Sequence, residues 1–283
     1  MKDFELISPI RQALREDAAT SDITSRAIIP YNRIIRARIV AKAPGILAGE
    51  KTAALTFTTL DPSLRCRLHL HSGATLARGT TILTVEGHAR SIFAAERVAL
   101  NFLMHLSGIA TYTHAFVACT HGTKAKIFDT RKTLPGLRSL EKDAVIAGGG
   151  KNHRASLSEA ILIKTNHLKT ATHNPRLMTH VIAQMIQAAK RRAPKKTIEI
   201  EVANLREFTT ALHAQPDIIL LDNWPLRSIR QAVRLRTPGI ALEVSGGVTL
   251  KNVRAIAKTG VDRISIGRVT HSAPSLDLAL QVV

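Results

Sequence analysis

Short apolar runs recur at nearly regular intervals through the second half of the chain. The last four of six such runs begin 20 to 23 residues apart, and the segments 225–236 and 249–258 between them have the apolar spacing of helices. Strands that alternate with helices predict a parallel sheet with helical crossovers, and this spacing fits both a closed barrel and an open sheet. The six runs are 125–129, 160–164, 198–202, 218–222, 240–245 and 263–267.

Nearly every run ends in a residue type that enzymes use. In parallel α/β folds the carboxyl ends of the strands form the active face, because side chains from several strands converge there. A single polar strand end would carry little information, whereas six in series favour a catalytic face. The residues at these ends are Asp129, Thr130, Arg131 and Lys132, then Lys164, Glu201 and Asp222, and finally Ser245, Gly246, Gly247 and Gly267.

The segment 240–267 predicts a phosphate site. Its order is strand, Ser-Gly-Gly, helix, strand and glycine. Glycines allow backbone N–H groups to approach a phosphate, and a helix N-terminus adds partial positive charge. A tight turn would also require the pair Gly246 and Gly247, but its position between two strands favours phosphate binding.

Basic residues are concentrated in the segment 129–154, which also contains three consecutive glycines at 148–150. We expect a flexible cationic loop over the strand ends that binds a small polyanion, because arginine forks match carboxylates and phosphates. A solvated basic loop is the alternative. The basic residues are Arg131, Lys132, Arg138, Lys142, Lys151, His153 and Arg154.

Glu201 and Asp222 lie one strand-helix unit apart and could face each other. Facing carboxylates can bind Mg²⁺, bind ribose hydroxyls or stabilise a cationic transition state. Asp222 could instead cap the helix that follows it. The spacing of cysteines and histidines contains no zinc motif.

The first 108 residues have a different pattern and predict an N-terminal α/β domain. Residues 5–16 have the periodicity of an amphipathic helix, and 34–48 alternate as strands do. Residues 91–106 predict a helix that is apolar on most faces and therefore buried, with Arg97 and Asn101 on one face.

Composition restricts the class of protein. The formal net charge of +19 attracts anions, whether nucleic acid, membrane surface or phosphorylated small molecules, whereas the 4% of aromatic residues argues against single-strand binding. Two cysteines exclude a disulfide framework, and no uncharged apolar run approaches the length of a membrane span. The amphipathic N-terminus is not a signal peptide. We expect a soluble, cytoplasmic protein without membrane attachment.

These residues resemble the quinolinate phosphoribosyltransferase family, and the similarity extends in order over almost the whole chain. The segments that carry it are 96–111, 129–145, 148–154 (GGGKNHR), 159–164, 198–223 and 243–272. The resemblance implies an N-terminal α/β sandwich domain (1–108, joined by the tail 270–283) and an incomplete, six- to seven-stranded α/β barrel (109–269). It also implies a pentosyltransferase that makes nicotinate mononucleotide, CO₂ and pyrophosphate from quinolinate and phosphoribosyl pyrophosphate for NAD biosynthesis. A homodimer or larger oligomer with shared active sites is implied as well.

The resemblance also assigns roles to individual residues. Arg97 would be donated by the neighbouring subunit, and Lys164, Glu201 and Asp222 would be catalytic, with the two carboxylates facing ribose and Mg²⁺-pyrophosphate. Quinolinate would be bound by Arg131, His153, Arg154 and Lys164. Phosphates would be bound by Lys132, Ser245, Gly246, Gly247 and Gly267, with His271 nearby, and Thr130 would be a further substrate-binding residue.

The chain departs from the family in three respects, and two alternatives to the assignment stay open. Thr165 stands where the family usually has Asp, about eight extra residues lie between His167 and Glu201, and the net charge is high. A related phosphoribosyltransferase-like protein encoded with molybdate-transport genes is one alternative, although Asn152, His153 and Arg154 favour the quinolinate enzyme. A nucleic-acid-binding protein is the other, and the convergent acidic and basic strand ends argue against it as the main role.

Overall fold

The computed structural model describes residues 3–283, which form two compact units. The first unit comprises the chain up to His114 together with Lys132–Gly149 and Arg268–Val283. The second comprises Ala115–Arg131 and Gly150–Gly267. The segment 132–149 therefore belongs with the first unit, whereas the sequence pattern suggested one continuous domain from residue 109 onward.

The first unit is built around a four-stranded antiparallel sheet. The strands of this unit are β1 (Ile34–Ala41), β2 (Gly45–Ile46), β3 (Arg65–Leu68), β4 (Thr75–Leu76), β5 (Thr81–His88) and β12 (Leu278–Val282). The order of strands in the sheet is β12-β1-β5-β3, so the C-terminal tail returns to pair with β1, where Ala37 lies opposite Val282. Its helices are α1 (Asp3–Glu16), α2 (Ile23–Ile28), α3 (Glu50–Leu60), α4 (Ala89–Cys119), α5 (Arg138–Ala147) and α11 (Arg268–His271). A 3-10 turn lies at Ala19–Ser21.

Helix α4 is longer than the sequence pattern predicts, because it runs through Gly108 instead of ending there. A Cβ atom at Gly108 would lie 2.2 Å from the carbonyl oxygen of Pro274, so this glycine serves close packing and not helix termination. The helix is long and apolar enough to span a membrane by length and composition alone. However, 61% of its most apolar window is buried, which is typical of a core helix.

The segment 132–149 is not the flexible loop that its charge suggested. Residues Arg138–Ala147 form helix α5, in which Glu141 and Lys142 are buried. Glu141 accepts a hydrogen bond of 2.9 Å from Nε2 of His105 on α4. A Cβ atom at Gly148 would lie 2.3 Å from the carbonyl oxygen of Ala110, so close packing on α4 explains this glycine.

The second unit consists of a six-stranded parallel sheet with helical crossovers, as the periodicity predicts. Its strands are β6 (Lys126–Phe128), β7 (Ile161–Ile163), β8 (Ile198–Val202), β9 (Ile218–Asp222), β10 (Ala241–Ser245) and β11 (Arg263–Ser265). Its helices are α6 (Thr165–Ala171), α7 (Pro175–Arg192), α8 (Leu205–Ala214), α9 (Leu226–Leu235) and α10 (Val253–Ala257). The segment between His167 and Glu201, where the extra residues lie, thus contains α7 and the turn that follows it.

The barrel is not closed. The strand order is β6-β11-β10-β9-β8-β7, so β6 and β7 are the two edges of the sheet. Beside β6, the single residue Lys151 pairs in parallel with Phe128, and its N–H donates to the carbonyl of Ile127 at 2.8 Å. Lys151 thus occupies the position of a seventh strand for one residue only. The expected fold class, an α/β sandwich with an incomplete barrel, is confirmed.

Candidate active site

The strand register brings the predicted catalytic residues onto one face of the sheet. Paired residues on neighbouring parallel strands point to the same side, and residues two apart on one strand do so as well. Ser245 pairs with Asp222, while Glu201 pairs with Leu220, two residues before Asp222. Leu162 pairs with Glu199, so Lys164 and Glu201 continue on that same side. Side chains from four strands therefore share one face at its carboxyl end.

This face is concave, because side chains from distant strands meet across it. His153 follows the Lys151 bridge beside β6, yet its Nε2 lies 3.0 Å from Oε2 of Glu199 on β8. The same nitrogen lies 3.5 Å from Oε1 of Glu243 on β10. On β11, Nε of Arg263 lies 2.5 Å from Oε2 of Glu243. We call His153, Glu199, Glu243 and Arg263 the buried charge cluster.

The groups of the buried charge cluster shift one another's pKa values. Burial alone would lower the pKa of His153, but hydrogen bonds and charges from Glu199 and Glu243 outweigh it and raise the pKa to about 9. Burial and the charge of Glu243 raise the pKa of Glu199. Burial disfavours ionised Glu243 too, yet His153, Arg263 and Ser265 outweigh it and lower its pKa. A pKa of about 9 means that His153 is protonated at neutral pH, so a cationic ring faces the two carboxylates.

A metal ion is one use that such a cluster could have. The donor atoms of His153, Glu199 and Glu243 all lie within 4.8 Å of one another. However, a pKa of about 9 keeps the ring of His153 protonated at neutral pH. A protonated ring carries a hydrogen on Nε2, the atom that would have to bind the metal. The contacts therefore favour an ion-paired cluster.

Two arginines next to this cluster form an anion site. Arg131 follows β6, and its Nε is buried without a hydrogen-bond partner among the described residues. Burial lowers the pKa of Arg154, and the nearby charge of Arg131 lowers it further. Nη1 of Arg154 donates to the carbonyl of Ala160 at 2.9 Å, which leaves its other donors for a ligand. Two cations held together with an unsatisfied donor favour a bound anion.

Thr165, which follows Lys164 at the end of β7, contacts the predicted catalytic carboxylate. Its hydroxyl and its backbone N–H, the latter at 3.4 Å, both donate to Oε1 of Glu201. Asp222 accepts a hydrogen bond of 2.9 Å from the side chain of Asn223. Glu201 and Asp222 present only oxygen donors on one face, and oxygen is the ligand that Mg²⁺ prefers. The two residues thus fit the predicted magnesium site in their donor type.

The Ser-Gly-Gly turn after β10 has the geometry that its glycines predict. Gly246 and Gly247 have φ values of 86° and 60°, in the region that favours glycine. A Cβ atom at Gly246 would lie 2.2 Å from Oδ1 of Asn223. The side chain of Asn252 donates to the carbonyl of Gly247 at 2.9 Å, which orders the turn. An ordered glycine turn at a strand end exposes backbone N–H groups to an anion.

Three of the predicted residues lie in the first unit. Arg97 is on α4, where 63% of its side chain is exposed, and Asn101 is exposed on the same face. Lys132 and His271 are exposed, and the carbonyl of Lys132 accepts a hydrogen bond of 2.7 Å from Thr270, next to His271. The remaining predicted residues are in the second unit: Thr130, Arg131, His153, Arg154, Lys164, Glu201, Asp222, Ser245, Gly246, Gly247 and Gly267.

The sequence analysis missed Glu199, Glu243 and Arg263. A signal for them exists, because each is a charged residue inside a strand that is otherwise buried and apolar. Each also lies two residues before a polar residue on the same face, namely Glu201, Ser245 and Ser265. That alternation places a second row of polar groups below the strand ends.

The fold and site define a phosphoribosyltransferase with an open α/β barrel, and comparison with known proteins gives the family. The family models for the N-terminal and C-terminal domains of quinolinate phosphoribosyl transferase match residues 22–107 and 109–281. The chain belongs to this family.

Relatives match the chain along nearly its full length. Nicotinate-nucleotide pyrophosphorylase (carboxylating) of Mycobacterium leprae is 40% identical over 279 residues, which cover 96% of this chain and 95% of the relative. A probable enzyme of the same name from Bacillus subtilis is 38% identical over 282 residues, covering 100% and 95% of the two chains. The structure of nicotinate-nucleotide pyrophosphorylase from Francisella tularensis superimposes with a TM-score of 0.92 at 37% identity, covering 100% and 98%.

Proposed function

We propose that this chain transfers the phosphoribosyl group of phosphoribosyl pyrophosphate to the ring nitrogen of quinolinate. The products are nicotinate mononucleotide, CO₂ and pyrophosphate. One observation carries this proposal. Arg131 and Arg154 lie close together at the carboxyl end of the sheet, where Glu201 and Asp222 also lie. A dicarboxylic acid requires cationic side chains and an activated sugar requires carboxylates, so the reaction requires both kinds of group next to each other.

The basic residues bind quinolinate. Arg131 and Arg154 provide guanidinium forks for its two carboxylates, and the exposed Lys164 at the end of β7 adds a third cation. Within the part of the chain that the structure describes, the buried Nε of Arg131 has no hydrogen-bond partner. This supports the role, because a buried donor without a partner costs free energy that a carboxylate would recover. A substrate contact of His153, which the family resemblance implies, stays a prediction.

The carboxylates act on the sugar. The ring nitrogen attacks C1 of the ribose while the bond from C1 to pyrophosphate breaks, and the transition state resembles an oxocarbenium ion. Glu201 and Asp222 stabilise that positive charge and bind ribose hydroxyls. We propose that the same two residues hold Mg²⁺ together with pyrophosphate, and a bound Mg²⁺ neutralises charge on that leaving group.

The phosphates are bound at the other strand ends. The ordered turn of Ser245, Gly246 and Gly247 provides backbone N–H groups for the 5′-phosphate, with Gly267 and His271 as further predicted contacts. Lys132 is a predicted contact of the phosphates of phosphoribosyl pyrophosphate, and Thr130 is a further predicted substrate contact. The surplus of positive charge raises the local concentration of both anionic substrates.

Decarboxylation then needs little from the protein. After C–N bond formation the ring nitrogen carries a positive charge, so the electron pair released when the 2-carboxylate leaves as CO₂ is stabilised at C2. That carbon then takes up a proton. The reaction requires no side-chain nucleophile, and positioning with electrostatic stabilisation provides most of the rate.

We further propose that the enzyme works in the cytoplasm as a homodimer or larger homo-oligomer. The exposed Arg97 on α4 would complete the quinolinate site of the neighbouring subunit. Its exposure supports this role, because a side chain that is 63% exposed is available to a partner.

A product assay tests the proposal. The purified protein is incubated with quinolinate, phosphoribosyl pyrophosphate and Mg²⁺, and nicotinate mononucleotide and CO₂ are measured. We expect both products in equal amounts and no turnover in the presence of excess chelator. Absence of the mononucleotide, with Mg²⁺ present and the protein folded, would refute the proposal.

A further inference from the structure

Glu199, Glu243 and Arg263 of the buried charge cluster take no part in the chemistry proposed above, yet they lie directly beneath it. Glu199 precedes Glu201 by two residues on β8, and Glu243 precedes Ser245 by two residues on β10. Residues two apart on a strand point the same way and are separated by about 6.5–7 Å. The cluster therefore forms the next layer of side chains below the strand ends.

Stability alone does not explain this layer. Barrel interiors are generally filled by branched apolar residues. Buried carboxylates lose several kcal/mol of hydration each, and replacement of buried ion pairs by apolar residues is often neutral or stabilising. Glu199 and Glu243 are 3% and 0% exposed, so both bear this cost in full. A layer that is expensive to bury and absent from the chemistry is expected to serve specificity or positioning.

The contacts of the cluster converge on the peptide between His153 and Arg154. The backbone N–H of His153 donates to Oδ1 of the buried Asp129 at 2.7 Å. Its ring contacts Glu199 through Nε2, and its Nδ1 lies 2.8 Å from the backbone nitrogen of Arg154. Both N–H groups of this short segment and both ring nitrogens are therefore engaged. The ring of His153 is only 9% exposed, so it faces the cluster and not solvent.

Arg263 completes the layer and holds Glu243 in place. Its Nε donates to Glu243 at 2.5 Å, and its guanidinium carbon lies 3.8 Å from the centroid of the Phe128 ring. Phe128 is the last residue of β6, immediately before Asp129. The cluster thus connects β8, β10 and β11 to the end of the strand that leads to Arg131.

We propose that Glu199, Glu243 and Arg263 are positioning residues, which hold the ring of His153 and thereby orient Arg154 beside Arg131 for the two carboxylates of the substrate. The inference rests on the function proposed above and deepens it. Specificity for a dicarboxylate depends on the angle and spacing of two guanidinium groups, and rigid support from below sets both. These three residues act through His153 and Arg154 and do not contact the substrate.

Two variants at one position test this role. Glu199→Leu removes the acceptor for Nε2 of His153, whereas Glu199→Gln keeps an acceptor oxygen of the same length. We expect Glu199→Leu to raise KM for quinolinate about tenfold, equivalent to about 1.4 kcal/mol. The KM for phosphoribosyl pyrophosphate should stay within about twofold and kcat within about threefold, and Glu199→Gln should restore KM for quinolinate to within about threefold of wild type.

A control on the same strand separates positioning from loss of folded protein. Ile200 is fully buried and points to the opposite side of β8 from Glu199. Ile200→Ala should lower the thermal midpoint and the amount of active enzyme, but it should leave both KM values unchanged. If Glu199→Leu does not fold, Ser265→Ala provides the test, because it removes only a hydrogen bond to Glu243. We then expect KM for quinolinate to rise about threefold.

The outcomes distinguish this inference from the proposed function. A wild-type protein that makes no nicotinate mononucleotide refutes the function. An active wild type whose Glu199→Leu and Ser265→Ala variants keep KM for quinolinate refutes the positioning role alone. An equal rise in both KM values would also refute it, because that pattern indicates general distortion of the barrel.

Discussion

The side chain of Asn223 fills the space in which a Cβ atom of residue 246 would lie, 2.2 Å from Oδ1. Asn223 itself has a φ of 58°, and its N–H donates to the carbonyl of Ser245 at 2.8 Å. The end of β9 and the turn after β10 are therefore interlocked. This contact orders the turn that we assign to the 5′-phosphate. Residue 246 favours glycine for two independent reasons, its positive φ and the lack of space for a Cβ atom.

Gly246→Ala should therefore impair both stability and sugar-phosphate binding. Gly239→Ala is the matched control, because Gly239 has nearly the same φ of 88° but nothing within 4 Å of an added Cβ. We expect the control to lose about 1 kcal/mol of unfolding free energy from backbone strain alone. Gly246→Ala should lose more and should raise KM for phosphoribosyl pyrophosphate at least about tenfold. Equal effects of the two substitutions on that KM would contradict the assignment.

Arg131→Met should weaken quinolinate binding much more than the same substitution at an exposed arginine outside the proposed site. Hydrogen bonds to charged groups contribute about 1.5–3 kcal/mol each, so the dissociation constant for quinolinate should rise about tenfold to a hundredfold. Arg131→Lys should rescue only part of this loss, because lysine lacks the fork. Calorimetric titration with quinolinate measures the effect, and Arg230→Met on the exposed side of α9 is the control. An unchanged dissociation constant for Arg131→Met would exclude its role.

Much of the second unit was predictable because its signal is local and repeated. The apolar runs gave the strand positions to within one or two residues, and the polar residues after them share one face of the sheet. The α5 helix was missed, because Arg138, Lys142 and three glycines resemble a loop when their packing on α4 is unknown. The buried charge cluster was missed because its pairing depends on sheet curvature, which brings Glu199 and Glu243 to His153 from separate strands.

The raised pKa of His153 predicts that the protein loses stability as pH rises toward 9. A histidine whose pKa is higher in the folded state contributes its full stabilisation below the unfolded value of 6.5 and loses it as pH rises through about 9. We expect the free energy of unfolding to fall by on the order of 1–3 kcal/mol between pH 6.5 and 9. Denaturant titrations across this range measure the slope.

His153→Asn is the control for that slope. The variant should be less stable at pH 6.5 but should lose less stability toward pH 9. Burial raises the pKa of the Cys66 thiol to about 11. Ionisation of this thiol therefore also lowers the free energy of unfolding, but mainly above its usual pKa of 9.0. A slope that is identical in wild type and His153→Asn would show that another group is responsible.

Thr165→Val should loosen the catalytic carboxylate without changing its charge. The hydroxyl of Thr165 donates to Oε1 of Glu201, so its loss leaves that side chain less ordered. One hydrogen bond of this kind contributes about 0.5–1.5 kcal/mol, which predicts a decrease in kcat/KM for phosphoribosyl pyrophosphate of about threefold to tenfold. Thr165→Ser keeps the hydroxyl and should retain activity. If serine and valine behave alike, the hydroxyl does not position Glu201.

Mixing two inactive variants tests whether Arg97 completes a site in a neighbouring subunit. Arg97→Ala and Lys164→Ala should each abolish most activity, because each removes one cation from the proposed quinolinate site. In a mixed dimer, one of the two sites would combine Arg97 from one chain with Lys164 from the other and would be intact. Equal amounts that exchange subunits should therefore recover about a quarter of wild-type activity.

Arg131→Ala mixed with Lys164→Ala is the control, because both residues belong to the second unit of one chain and no mixed dimer restores a site. Recovery in the first mixture alone requires a shared site, whereas no recovery in either mixture, with subunit exchange demonstrated, places Arg97 outside it.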